Sequence, residues 1–114
     1  MPHEYSLWKV TFSYETPSEY HYCERETHTY TVVAQHKDEA EKKSFARFSK
    51  TPTYTDLDLS REGMVWTTVT KIQKRKIALP KLALPEDREH FCILPRVSTD
   101  GRSLEFLVTE RKGR

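Results

Sequence analysis

The stretch from Glu26 to Phe48 constrains the fold more than any other. An alternating strand, Thr27 to Ala34, runs through Gln35, His36, Lys37 and Asp38 into a charged helix with almost no loop between. In the strand, Thr27, Thr29, Thr31 and Val33 point one way and His28, Tyr30, Val32 and Ala34 the other, a period of two rich in β-branched and aromatic residues. After Ala34 the period changes. Asp38, Glu39 and Glu41 come early while Lys42, Lys43, Arg47 and Lys50 come late, the charge order that suits a helix dipole. We therefore expect a helix over about 37–49. Its apolar stripe, Ala40, Ser44, Phe45 and Phe48, is narrow. Pro52 stops it, because the residue before a proline is pushed out of the α region.

Other segments supply partners for this unit. Upstream, Trp8, Val10, Phe12 and Tyr14 alternate with Lys9, Thr11 and Ser13, so one face of a first strand must be buried. Pro17 and Ser18 interrupt it, and no crossover helix separates it from the next strand, so the two should form an antiparallel hairpin with a long loop. Beyond the helix, 51–62 reads as an irregular link whose Leu57 and Leu59 tuck onto the core. Gly63 turns the chain into a third strand over 64–73, with Trp66, Thr68, Thr70 and Ile72 opposing Val65, Thr67, Val69 and Lys71. Its direction and place in the sheet stay open. The near repeat Ile77-Ala78-Leu79-Pro80 and Leu82-Ala83-Leu84-Pro85 reads as an extended arm, about 77–88. Residues 91–97 and 103–109 flank an Asp100-Gly101 turn and predict a terminal hairpin, with Pro95 marking an edge strand. The expected architecture is a single α+β domain over 1–114. It has a mostly antiparallel sheet in the order β-β-α-β, an arm, a C-terminal β-hairpin, one main helix on one face and a basic tail at 110–114.

Composition narrows the function classes. Hydrophobic residues make up 36% and charged residues 32%, with five Phe, two Trp and six Tyr, a polar chain that can still build a core from few large rings. The longest apolar run falls far short of the roughly 18 residues a membrane span needs, and Met1-Pro2-His3-Glu4 has no secretory character, so we expect a cytoplasmic protein. Cys23 and Cys92 sit in no paired motif and read as free thiols. With three glycines there is no phosphate-cradling loop, and no carboxylate lies in an apolar setting that would mark a catalytic acid. Asp56-Leu57-Asp58 lacks the glycine and distal glutamate of an EF-hand. We expect no catalytic residue, no cofactor and no metal site.

Two His-x-Cys pairs, His21/Cys23 and His90/Cys92, repeat a spacing that puts both side chains on one side of an extended segment. If neighbouring strands carried them they would present four zinc ligands, but structural zinc ligands usually come with two or more intervening residues. Unrelated histidines and buried thiols are the simpler reading.

Two binding readings remain. Tyr14, Tyr20, Tyr22 and Tyr54 gather near loops, and tyrosine is enriched at protein interfaces. With one helix too small to cover the sheet, this points to a non-enzymatic interaction module that binds a protein partner or itself, as a homodimer. The alternative is nucleic-acid binding by Trp66 with the basic cluster Lys71, Lys74, Arg75 and Lys76. Against it stand a pI near 8.5 and the economy of placing Trp66 and Tyr30 in the core.

The Val32-Val33-Ala34 strand end, the helix from Asp38-Glu39-Ala40, and Val69-Thr70-Lys71-Ile72 resemble the β-β-α-β pattern of small accessory proteins of phages, plasmids and integron gene cassettes. The resemblance covers about 7–73. It implies a small binder acting on a host or element component and carries no functional residue across.

Overall fold

The computed structural model describes residues 4–17, 23–75 and 79–111. β1 (Ser6–Pro17) and β2 (Cys23–Ala34) form the expected antiparallel hairpin in continuous register from Ser6 opposite Ala34 to Pro17 opposite Cys23. α1 (Lys37–Phe48) follows two residues after β2, then a short α2 (Pro52–Asp56). β3 (Val65–Ile72) runs antiparallel to β1 on the side away from β2, giving the order β2-β1-β3. This answers the question the sequence left open: the third strand pairs with the first.

Parity then decides what is buried. Trp8, Val10, Phe12 and Tyr14 of β1 share a face with Tyr30 and Val32 of β2 and Val65 and Val69 of β3, and α1 lies on that face. Ala40, Ser44 and Phe48 of the helix stripe are buried, and Phe48 stacks on Phe12 at 4.6 Å with ring planes 3° apart. Burying a side chain of that size contributes roughly 1.5–3 kcal/mol. Phe45 was expected in the stripe but is 41% exposed, at its edge, touching Phe12 and Tyr54 by ring edges. Leu59 is buried and Leu57 packs beside it, as expected of the link. The link is not wholly irregular: Thr51 caps α2 by accepting from the Tyr54 N–H, and Pro52 occupies the first turn, where its missing donor costs nothing.

The terminal hairpin does not extend the first sheet. β5 (Phe91–Val97) and β6 (Leu104–Glu110) pair antiparallel, and the two-residue β4 (Lys74–Arg75) joins β6 to complete a second sheet, β4-β6-β5. One residue, Gln73, separates β3 from β4, so a single run of chain crosses from one sheet to the other. The second sheet covers one end of the face opposite α1, where Leu7, Val33, Leu82 and Val108 form a separate small core with Phe91, Ile93 and Phe106. Pro95 lies on an edge strand, as its missing donor demands.

The proline-containing segment is the second correction. Its described residues 79–84 form neither helix nor strand and bend at Ala83, and Pro85 opens α3 (Pro85–His90). Here a proline starts a helix, with Glu86 and Asp87 in the acidic first turn. The segment closes the free edge of β2: the Ala83 N–H donates to the Thr31 carbonyl at 2.9 Å, and the Val33 N–H donates to Asp87 Oδ2 at 3.0 Å. Lys43 of α1 donates to the Val33 carbonyl at 2.6 Å and to Asp87 Oδ1 at 2.5 Å. Asp87 is 1% exposed, so sheet, helix and arm meet at one charged, fully bonded clasp. Among the described residues no helix is long and apolar enough to cross a membrane.

Candidate interaction site

The passage of the chain between sheets leaves a cleft of about 630 Å³ beside Gln73, lined by Tyr5 and Leu7 of the first sheet side and by Leu94, Phe106 and Leu107 of the second. Lys71, Arg96 and Glu105 also line it. Leu94 and Leu107 face each other directly across β5 and β6, on the surface opposite the small core, and are 46% and 60% exposed. Neighbouring Arg96 and Glu105 pair at 3.2 Å, also cross-strand. Scattered apolar residues on a surface need no explanation, but two leucines side by side on the rim of a cleft make a patch bordered by charge.

A second surface is the part of the first sheet that neither α1 nor the second sheet covers. By register Thr31, Lys9 and Thr70 form one row across it, Thr29, Thr11 and Thr68 the next, and Thr27, Ser13 and Trp66 a third. The Thr11 and Thr29 hydroxyls are 3.3 Å apart. Trp66 is 48% exposed, and the Arg25 guanidinium reaches from β2 across the small Ser13 to lie 5.0 Å over its ring. Trp66 is therefore not a core residue as expected. Val65 and Val69 turn inward, and strand parity turns Trp66 outward with Thr68 and Thr70.

A third concavity, of about 470 Å³, gathers Tyr5, Glu39, Lys43, Asp87, His90 and Glu110. The Glu110 carboxylate beside the Tyr5 hydroxyl holds that phenol above its ordinary pKa, with burial adding to the effect. Asp87 and Lys43 are already committed to the clasp, which makes this corner structural.

Those of the residues singled out from the sequence that are described do not assemble. Tyr14 is 1% exposed, wedged beside Phe48 and His28, and cannot touch a partner; its place in the period-two pattern of β1 was the signal that it is core. Tyr54 is half-buried with its ring edge-on to Phe45 and Phe48, while Tyr20 and Tyr22 lie outside the described residues. Lys71 has the parity of the α1 face, so it and Trp66 point to opposite sides of the sheet, about 16 Å apart along β3. Lys74 and Arg75 are placed by their backbone in β4, and Lys76 lies outside the described residues. Cys23 pairs at the Pro17 end of the hairpin, whereas His90 follows Asp87 near Val33, ten residues and about 33 Å along β2. Cys23 and His90 are therefore far apart, and His21 lies outside the described residues. No group of three potential ligands is found among the described residues. The leucine pair was legible as alternation in the terminal hairpin, but which face of that hairpin stays open depends on where the second sheet packs.

Compared with protein-family models, with curated proteins and with solved structures, the chain matches none.

Proposed function

We propose that this chain is a non-enzymatic interaction module of the cytoplasm that receives apolar side chains of a protein partner at the cleft between its two sheets. The observation that carries the reading is the exposed Leu94–Leu107 pair on the cleft rim, flanked by the Arg96–Glu105 ion pair. Apolar anchors inside a charged rim are the usual anatomy of a protein interface. A free Cys92 fits a reducing compartment. The resemblance of residues 7–73 to accessory proteins of mobile elements supports a partner belonging to the host or the element.

The test pairs an interface substitution with a nucleic-acid control. A partner is identified by crosslinking from a photoreactive side chain at position 107, and its affinity is measured by calorimetry for the parent and for Leu94→Asp/Leu107→Asp. Losing two apolar anchors worth about 1.5 kcal/mol or more each should weaken binding at least tenfold. The melting temperature should fall by only a few degrees, the cost of two carboxylates set opposite each other on an exposed face. Unaltered affinity in the double variant overturns the cleft as the site.

One observation favours a second reading, single-stranded nucleic acid on the hydroxyl face: Trp66 offers a ring and Arg25 a charge there. Binding of a labelled oligonucleotide that falls steeply with salt and disappears in Trp66→Ala would select it over the first.

A further inference from the structure

The sheet edges of this protein are treated unequally. The second half of β2 is closed by Ala83, Asp87 and Lys43, and its first half carries Glu24, Arg25 and Glu26, charges of both signs. β5 is interrupted by Pro95. β3 has none of these devices. Its eight residues, Val65-Trp66-Thr67-Thr68-Val69-Thr70-Lys71-Ile72, contain no proline, no glycine and one charge. Natural sheets guard such edges unless they use them.

Parity shows which groups the edge presents. The outward bonds of β2 leave from Thr31 and Val33, so its even residues bond to β1. Trp8 opposite Val32 and Val10 opposite Tyr30 then spend the even residues of β1 on β2, leaving the odd ones for β3. These are Leu7, Lys9, Thr11 and Ser13, opposite Ile72, Thr70, Thr68 and Trp66. The N–H and C=O groups of Val65, Thr67, Val69 and Lys71 therefore point away from the sheet. Among the described residues nothing bonds to them.

We propose that β3 pairs antiparallel with β3 of a second copy of this chain, joining two three-stranded sheets into one of six strands. A two-fold axis normal to the sheet keeps each face continuous, which requires residues of equal parity to stand opposite each other. Centring the axis on Thr68 satisfies all four outward residues: Thr67 exchanges bonds with the partner's Val69, and Val65 with the partner's Lys71. Centring on Val69 strands Val65 beyond the partner's β3. The chosen register sets no like charges opposite, because the only charge in the strand faces a valine. It also covers Val65 and Val69, which are half-buried on the α1 side. The edge is self-complementary in hydrogen bonds, charge and apolar surface, which is what selects a second copy over a foreign strand. This inference goes beyond the cleft reading and meets it only at the Lys71 end of β3, where it uses the backbone and not the Leu94–Leu107 pair.

Sedimentation of the full chain from about 5 to about 500 µM covers the range where a small interface dissociates. A monomer–dimer equilibrium is expected. Thr67→Pro removes an outward donor that β1 does not use, so the variant should fold and stay monomeric throughout. Cysteine pairs read the register in case that variant does not fold. In a background with Cys23→Ser and Cys92→Ser, Thr68→Cys places its side chain opposite its own copy in a non-hydrogen-bonded pair with Cα atoms about 4.5 Å apart, suited to a disulfide. Thr70→Cys leaves about 14 Å between copies. Oxidation should crosslink the first and not the second. A monomer at the highest concentration, a dimer that survives in folded Thr67→Pro, or equal crosslinking through position 70 each overturns the proposal.

Discussion

Replacing Asp87 tests whether the clasp, rather than the two apolar cores alone, fixes the arm and the second sheet to the first. Asp87→Ala strands the Val33 N–H, a loss of about 1–3 kcal/mol for a buried unsatisfied donor. It also removes the carboxylate facing the Lys43 ammonium. Breaking a fully buried pair costs about 3–5 kcal/mol, but the Lys43 side chain is 25% exposed and keeps the Val33 carbonyl, so its charge turns partly to water. The net expectation is a loss of about 2–4 kcal/mol, which at roughly 4 °C per kcal/mol for a chain of this size lowers the melting temperature by about 8–16 °C. Urea denaturation followed by circular dichroism measures it, within a cycle containing Asp87→Leu, Lys43→Met and the double variant. The two sites share one contact, so the double variant should lose about 1–3 kcal/mol less than the sum. Hydrogen exchange at the Val33 and Ala83 amides should quicken in Asp87→Ala before exchange in the middle of β1 does. A loss under about 1 kcal/mol with additive singles would refute the clasp.

Two further outcomes follow from groups the core treats unequally. Ser44 Oγ is buried without a hydrogen-bond partner among the described residues, so Ser44→Ala should raise stability by roughly 1 kcal/mol, read as a higher urea midpoint at unchanged slope. Burial is the main cause that holds the Tyr14 and Tyr30 phenols above the ordinary value of 10.0, with Glu26 adding to the effect at Tyr14 and Arg47 opposing it at Tyr30. Their raised values favour the neutral, folded form. That contribution is complete below pH 10 and is lost as pH climbs through the folded values, so stability should fall on the alkaline side. The fall should be shallower in Tyr30→Phe, and ultraviolet titration should show the buried phenols ionising together with unfolding.

The local elements were legible because each is written in a period that neighbours cannot change. The alternation of β1 and β2, the charge order of α1, the β-branched run of β3 and the Asp100-Gly101 turn each point to one conformation. α2 and α3 were missed for one reason: Pro52 and Pro85 were read as breakers, while each stands at the start of a helix, where a missing donor is harmless. The candidate site was legible in part. Alternation alone would have placed Tyr14 inward and Trp66 outward, and it separates Trp66 from Lys71 without any structure. Tyrosine enrichment and a basic cluster are compositional signals, and composition carries no direction.

By itself the sequence determined which residues extend, which coil and which side chains share a face, since backbone sterics and side-chain period act within a few residues. Only the tertiary structure decided that β3 lies beside β1, that the terminal hairpin builds a second sheet with β4, and that the arm closes one edge of the first sheet while leaving the other bare. Those choices rest on contacts between segments far apart in the chain. Asp87 reaching Val33 and Lys43 is one such contact, and no local pattern records which distant partner will satisfy a buried carboxylate.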